Sequence, residues 1–596
     1  MHRPAVCAFL QQSAIRRTFS TALTILRSTE VPAANENDIL STKKLSPKEK
    51  IKLIFHEVNP NEISSTEIIN VFNQLKSIVT LHGKGVLKPE KVELKQLVAL
   101  FLKDIEALSV SNISNAVLFL SSVGYEFDKQ SRSTIVSGLL QAIKRSPVGQ
   151  IIQVVASRNL GNLIISDIEV QNEAIQTLQK RWVEVRNPKD LCRVLQLAQH
   201  FDKKFLSRIE DAIVESVESS KFEEKVSLIL SLFKAKRRPT PALRALGYHL
   251  SKSPDQMTMN QCIGLLYAVS GLSFHDPGLI ERICNDAVST LSMNKTTPIQ
   301  IGKLATSLGI LRCRHKELLE QISEWCISNP SVLEPSVLIP VVMTLATVDY
   351  HPINGETFFK LIEQKLTPST VGSSSKWIDV VWAMTILGIV KPETIIDTLQ
   401  ESQIEKLAGE KSLSLSTKIK LAILINYGET LDNKSELNSS AAKKFVLDLE
   451  LRRPEDVTKL SQSVIDSLSN FLLPPKFLKV LSTPVPGILV DAECILDRKF
   501  HPLPLDRYDL SNLECQPIPR DVSRVAVVVL GYKDLCLGSV HPIGLCSLYR
   551  RLLESKGYKV VTVPSIDFPV QSTLQSKLKY LEQRLKEACD YKHGDL

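Results

Sequence analysis

Basic side chains gather at two places in this chain with the chemistry to hold a phosphate backbone. Lys234, Lys236, Arg237 and Arg238 stand in the run KAKRR, and Lys533, Arg550, Arg551, Lys556 and Lys559 cluster near the C-terminus. Single-stranded RNA is held by cations on its phosphates and by flat groups on its bases. Tyr532 and Tyr558, beside Lys533 and Lys559, offer such groups. Arg312, Arg314 and Lys316 fill a turn equivalent to KAKRR two repeats later, which predicts a basic track along one rim. The competing reading of KAKRR is a solvated helix end whose cations complement the helix dipole. For either tyrosine it is a place in the core.

Other chemistries find less support. HGKG, from His82 to Gly85, lacks the strand and the hydroxyl of a phosphate loop and reads as a turn. The glycine loop, strand lysine, catalytic-loop aspartate and Asp-Phe-Gly of a protein kinase are not present as motifs. Cys536, His541 and Cys546, like Cys494, His501 and Cys515, lack the close pairing of zinc ligands. Cys192, Cys262, Cys313 and Cys326 fall within helical stripes and read as core. Eleven cysteines without a CxxC pair fit a reduced compartment. No metal and no cofactor is expected.

The elements that position these residues repeat. A small side chain recurs in one helical slot as Ser121, Ala156, Ala198, Ser231, Ala268, Ala305, Ala346, Ala383 and Ala422. Successive slots lie ~33 to ~42 residues apart, the span of a two-helix repeat. Stacked hairpins of this kind bury faces that none buries alone, and the expected product is an α-solenoid with an extended inner surface. Thr258 to Leu291 shows the grammar: Ile263, Leu266, Tyr267 and Ser270 line one helix face, Gly271 to Gly278 turns, and Ile280, Ile283 and Ala287 line the next. Helical pattern begins near Pro47, with Ser46 as its cap, and holds through residue 427. The solenoid is therefore placed at 49–427. A polar break at Glu429 to Ser440 is followed by a helical stretch from Lys444 to Leu472.

The C-terminal part differs in kind. Gly487 to Asp497 (GILVDAECILD) reads as a strand with a turn, and Arg524 to Tyr532 (RVAVVVLGY) as a buried strand. His541 to Gly557 is an amphipathic helix closed by Gly557, Tyr558 to Pro564 a second buried strand, and Ser572 to Ala588 a last helix. Strand, helix, strand within this length predicts a crossover between parallel strands. The fold class is mainly α: helical-hairpin repeats followed by a small α/β domain.

Totals set the frame. At 596 residues the chain exceeds one core. Its 43% apolar and 23% charged content is that of a folded globular protein, and a net charge of +9 leans toward a polyanionic partner. No apolar run approaches the ~20 residues of a membrane span. Residues 1–29 contain no Asp or Glu, while Arg3, Arg16, Arg17 and Arg27 punctuate small and apolar residues. Such a start reads as a mitochondrial transit peptide, with Arg17-Thr18-Phe19-Ser20 as a protease site and residues 30–48 as a linker.

The combination of ALGYHLSKSP and LLYAVSGLSFH (Ala245 to His275), ILVDAECILD, and RVAVVVL with IGLCSLYRRLLESKGYKVVTVP resembles the FAST-kinase-domain proteins of mitochondria. The last module resembles their RAP domain, placed at 524–582, and segments 415–473 and 474–516 resemble the two FAST domains before it. The resemblance implies a mitochondrial-matrix protein that binds single-stranded mitochondrial RNA and stabilises or guides processing of mitochondrially encoded mRNAs, alongside other RNA-processing proteins. It also implies an endonuclease-like fold for the RAP module. Hydrolysis there needs clustered carboxylates for Mg²⁺. The strands Val527 to Tyr532 and Tyr558 to Pro564 carry none, and Asp534, Glu554, Asp567, Asp491, Glu493 and Asp497 read as turn and surface acids. The leading expectation is a non-catalytic RNA-binding protein. An RNA endonuclease acting through the RAP-like module and a protein-binding helical scaffold are the alternatives.

Overall fold

A computed structural model of the chain describes residues 46–589, except 58–63, 84–86, 88–91, 158–166, 294–295, 411–413, 432–439, 447–448, 509–518 and 520–521. The region read as a transit peptide, most of the linker, and Cys515 lie outside the described residues. Two units are present: residues 46–255 with 271–279, and residues 256–270 with 280–589. Both begin as helical hairpins, and the second ends in an α/β module.

Capping chemistry sets the helix starts. Ser46 and Glu49 exchange hydrogen bonds at the first helix, Pro47–Glu57, as its sequence implies. In the first unit, helix α1 (Phe222–Lys234) carries the slot residue Ser231, which is buried. In the second unit α2 (Pro298–Leu311), α3 (Pro335–Thr347), α4 (Ser374–Ile386) and α5 (Leu415–Gly428) lie side by side. Their slots Ala305, Ala346, Ala383 and Ala422 are all buried. Small residues let these backbones approach: Gly302 faces the Val337 backbone, and Thr344 donates its hydroxyl to the Ala305 carbonyl at 2.6 Å. The earliest slots depart from the pattern. Ser121 and Ala198 are half-buried, Ala156 is exposed, and Ala198 sits in a 3₁₀ turn. Around Ala156 the buried stripe runs instead through Ile151, Ile152, Val154 and Val155.

Five successive repeats close their first helix alike. Lys236, Ser273, Arg312, Asp349 and Gly388 all take positive φ, at intervals of about 37 to 39 residues. At four of these turns the next amide reaches back to a carbonyl five residues earlier: Arg237 to Leu232, Cys313 to Leu308, Tyr350 to Leu345 and Ile389 to Met384. This is the left-handed stop that satisfies terminal carbonyls.

Residues 444–472 do not form the single helical stretch expected. A short helix ends at Lys444, and α6 (Glu455–Leu468) starts only after Pro454, because the residue before a proline is pushed out of helical geometry. The sheet that follows is mixed. Strands β1 (Lys479–Val485), β2 (Ile488–Asp497), β3 (Pro502–Leu503), β4 (Val522–Leu530) and β5 (Tyr558–Pro564) are ordered β1-β2-β4-β5, with β3 also on β2. Strands β4 and β5 are parallel, as the crossover requires, and the other pairs are antiparallel. The crossover helix α7 (Gly544–Ser555) ends before Gly557, which takes φ +85°. Helix α6 and the last helix, α8 (Leu574–Ala588), share one core with the sheet: Val464 and Leu468 meet Val525, Val527, Val529 and Leu581.

The module is seated on the hairpins at Gly544. A Cβ there would overlap the Ala346 carbonyl oxygen and crowd Ile386, so the start of α7 lies against α3 and α4. By contrast, Gly409 has open space around its Cα. Gly544→Ala is predicted to lower the unfolding free energy by about 1–3 kcal/mol, while Gly409→Ala leaves it unchanged or slightly raised. Urea titration of both variants checks the pair, and equal stability would contradict the seat.

Candidate nucleic-acid interface

The basic residues divide sharply once their partners are known. Lys234, Lys236 and Arg238 are exposed, and among the described residues none forms an ion pair with a carboxylate. Arg237, between them, is paired with Glu210 at 2.5 Å. Arg238 donates to the Ser273 carbonyl of the next turn at 3.0 Å.

Arg312 and Arg314 were expected to continue that rim. Arg312 is instead buried, with its guanidinium 5.1 Å from the centre of the Tyr532 ring. Burial lowers its pKa from the ordinary value. Its carbonyl accepts from Leu537. Arg314 donates to the Val348 and Asp349 carbonyls at 3.0 and 3.3 Å. The recurrence visible in the sequence has a structural cause. Arg238, Arg314 and His351 each stand two residues after a left-handed turn, and each donates to the following turn: to Ser273, to Val348 with Asp349, and to Leu387. A donor at that place ties one repeat to the next. Arg145 and Arg181 do the reverse, reaching back to Leu108 and Ser146. Lys316 opens the following helix and is exposed.

The C-terminal cluster is equally committed. Arg551 donates to Thr385 and Ile386, the last carbonyls of α4, at 3.3 and 2.6 Å. Lys556 reaches Glu429 beyond the end of α5, Lys533 pairs with Asp456, and Arg550 pairs with Glu554. Lys559 is exposed. Tyr558 is buried, with its hydroxyl on Glu493 at 2.9 Å and the Arg524 guanidinium over its ring. It is therefore core and not a stacking platform. Tyr532 is half exposed, its ring backed by Arg312.

Two acids thought to lie on the surface are interior. Asp491 and Glu493 on β2 are buried. Asp491 is gripped by Arg453, by the Ser461 hydroxyl and by the Val529 amide. Glu493 takes Arg524 at 2.8 Å and Tyr558. Each carboxylate is thus neutralised by a guanidinium and spent on joining α6, β2, β4 and β5. Among the described residues no group of three His, Cys, Asp or Glu is placed to hold a metal ion, and no helix is long and apolar enough to cross a membrane. Cys192, Cys262, Cys313 and Cys326 are buried as expected. Burial pushes Cys192 up to about 11, and Cys262 and Cys326 up to about 12. Cys536 and Cys546 lend their thiols to backbone carbonyls.

One cationic, aromatic site escaped the sequence reading. Trp182 has Arg208 at 5.0 Å and Arg186 at 5.9 Å over its ring. Its signal was available in the run Arg181-Trp182 followed by Arg186, an aromatic set between cations.

A family model for the FAST kinase-like protein, subdomain 1, matches residues 338–408. The match lies ahead of 415–473, the segment assigned to the first FAST domain from resemblance. It spans most of α3 and all of α4, the helices on which α7 rests. The FAST kinase domain-containing protein 4 of Rattus norvegicus is 25% identical over 426 residues, covering 70% of this chain and 67% of that protein. Its Homo sapiens counterpart is 24% identical over 431 residues, with the same coverage. FAST kinase domain-containing protein 1, mitochondrial, of Mus musculus is 21% identical over 338 residues, covering 52% of this chain and 39% of its own.

Because Asp491 is wholly enclosed, its partner should be costly to remove. Arg453→Met is predicted to cost about 3–5 kcal/mol of stability, the penalty of an uncompensated buried charge. Chemical denaturation measures it, and a loss below about 1 kcal/mol would show that the pair does not hold the sheet.

Proposed function

This chain carries a FAST kinase-like subdomain and is related over most of its length to FAST kinase domain-containing protein 4, and from that kinship we propose that it is a mitochondrial RNA-binding protein. Its RNA is single-stranded and mitochondrially encoded. The protein acts by covering the strand, which shields it or presents it to processing proteins, rather than by cutting it. Relatives named as mitochondrial support the compartment, as does the acid-free, arginine-bearing start of the sequence. The matrix, reached through a leader over residues 1–29, is part of this reading.

The observation that carries it is the run from Lys234 to Arg238, where Lys234 and Lys236 are exposed and, among the described residues, have no carboxylate partner. Cations with structural work to do, such as Arg237, Arg238, Arg314 and Arg551, are set aside by their hydrogen bonds. What remains is charge facing solvent, in a chain with 73 basic and 64 acidic residues. Trp182, Arg186 and Arg208 in the same unit, and Tyr532 in the other, add flat groups for bases. The buried, arginine-bound acids of β2 favour binding over hydrolysis, since a hard cation needs free oxygen ligands.

Phosphate binding releases counterions, so affinity must fall with salt. Lys234→Ala with Lys236→Ala is predicted to weaken binding of a single-stranded RNA across sequences. The slope of log affinity against log salt should fall by roughly 1.4, at about 0.7 per lost single-strand phosphate contact. Filter binding over a salt series measures both. Unchanged affinity and slope would contradict the assignment, and RNA-independent capture of an acidic peptide would favour the scaffold alternative.

A further inference from the structure

Between the sheet and α8 lies a cavity of about 370 Å³, within the roughly 300–1,000 Å³ of small-ligand sites. It is lined by Leu472, Leu496 and Leu578, by the aromatic Phe471 and Phe500, and by Glu582. Phe500 is held there against its backbone preference. It takes φ +65°, a region a bulky side chain enters only under constraint. The constraint is the β2–β3 hairpin. Asp497 accepts from the Lys499 and His501 amides at 2.8 Å, its carbonyl accepts from Phe500, and its own amide donates to His501. This knot sets Phe500 among the residues that line the cavity and leaves Arg498 and Lys499, the two residues before it, exposed. Among the described residues neither of those cations is paired with a carboxylate. Lys586, on α8, sits 5.4 Å from the centre of the Phe500 ring and pairs with Glu582 at 2.6 Å.

We propose that this cavity receives one unstacked base of a bound RNA strand. The inference rests on the RNA reading above and names a base subsite for it. A base is flat, apolar on its faces and polar at its edge. Two phenylalanines and three leucines in the lining match the faces. The carboxylate of Glu582, one oxygen of which is held by Lys586, has a second acceptor oxygen that matches the amino group carried by adenine, cytosine and guanine but not by uracil. Arg498 and Lys499 reach the phosphates flanking the inserted base. An apolar peptide side chain would use the leucines but has no need of the strained aromatic or of exposed cations at the hairpin tip.

The test uses the purified full chain and a ten-nucleotide mixed-sequence RNA, an oligouridine of equal length and an RNA of equal length lacking bases. Phe500→Ala is expected to weaken the mixed RNA roughly 5- to 150-fold, the range of one lost stacked base, with the salt slope unchanged. The baseless RNA should bind both proteins equally, and oligouridine should bind wild type more weakly than the mixed RNA. Leu578→Trp, which fills the cavity from α8 and leaves the hairpin intact, gives the same loss and decides the matter if Phe500→Ala does not fold. Wild-type protein that binds none of the RNAs overturns the RNA reading and this inference with it. Wild-type protein that binds with a salt slope, while both variants match it, overturns the base subsite alone.

Discussion

Every α-helix leaves carbonyls without donors at its C-terminal end, and the second unit of this chain is organised around satisfying them. The first helices of its hairpins end in left-handed turns at Arg312, Asp349 and Gly388. Loop residues supply one set of donors, with Arg314 on the turn after α3 and His351 on the turn after α4. The α/β module supplies the other. Leu537 donates its amide to Arg312, Cys536 its thiol to Val348, and Arg551 its guanidinium to Ile386. Ser547 adds its hydroxyl to the Asp349 side-chain carboxylate at the same turn. Cations placed here also meet the negative end of each helix. The module is thus the shared C-cap of adjoining hairpins, and the glycine at the head of α7 lets it come close enough to serve.

This constraint explains which residues are left for function. A cation that caps a helix has a fixed place and no phosphate to spare, so most of the basic residues near the C-terminus hold the molecule together. The same economy governs the sheet. Arg453 and Arg524 enclose the acids of β2, and those acids bind strands and helices to one another. What stays exposed without a carboxylate partner among the described residues is Lys234 and Lys236 in one unit and Arg498 with Lys499 at the hairpin tip in the other. The FAST kinase-like match, 338–408, covers the Val348 and Ile386 carbonyls that the module caps, though not that of Arg312. A reason for that segment to keep its form is therefore contact with the module.

The architecture was legible where local patterns suffice. Small residues at repeat spacing announced the hairpins, and the β-branched runs from Arg524 and Tyr558 announced two parallel strands. Gly557 marked the end of α7. β1 was missed because its sequence, Lys479 to Val485, is half exposed and proline-bearing, and it becomes a strand only by pairing with β2. The roles of single residues were harder. Asp491 looked like a surface acid because its partner Arg453 lies 38 residues away. Arg314 looked like a ligand cation because its acceptors are backbone carbonyls, which leave no mark in a sequence. Its recurrence with Arg238 was real, but it reports the joint between repeats. The strain at Phe500 had no local signal at all, since nothing in Asp497 to His501 names a left-handed phenylalanine.

Hydrogen–deuterium exchange on the full chain, followed by peptide mass spectrometry, tests most directly whether the module and its hairpins are one structure. If the module caps the hairpins, amides of Pro335–Thr347, Ser374–Ile386, Gly544–Ser555 and Val522–Leu530 share a single opening free energy and lose protection together as denaturant rises. Exchange of the strands and of Gly544–Ser555 at low denaturant, with the two hairpin helices still fully protected, would contradict it.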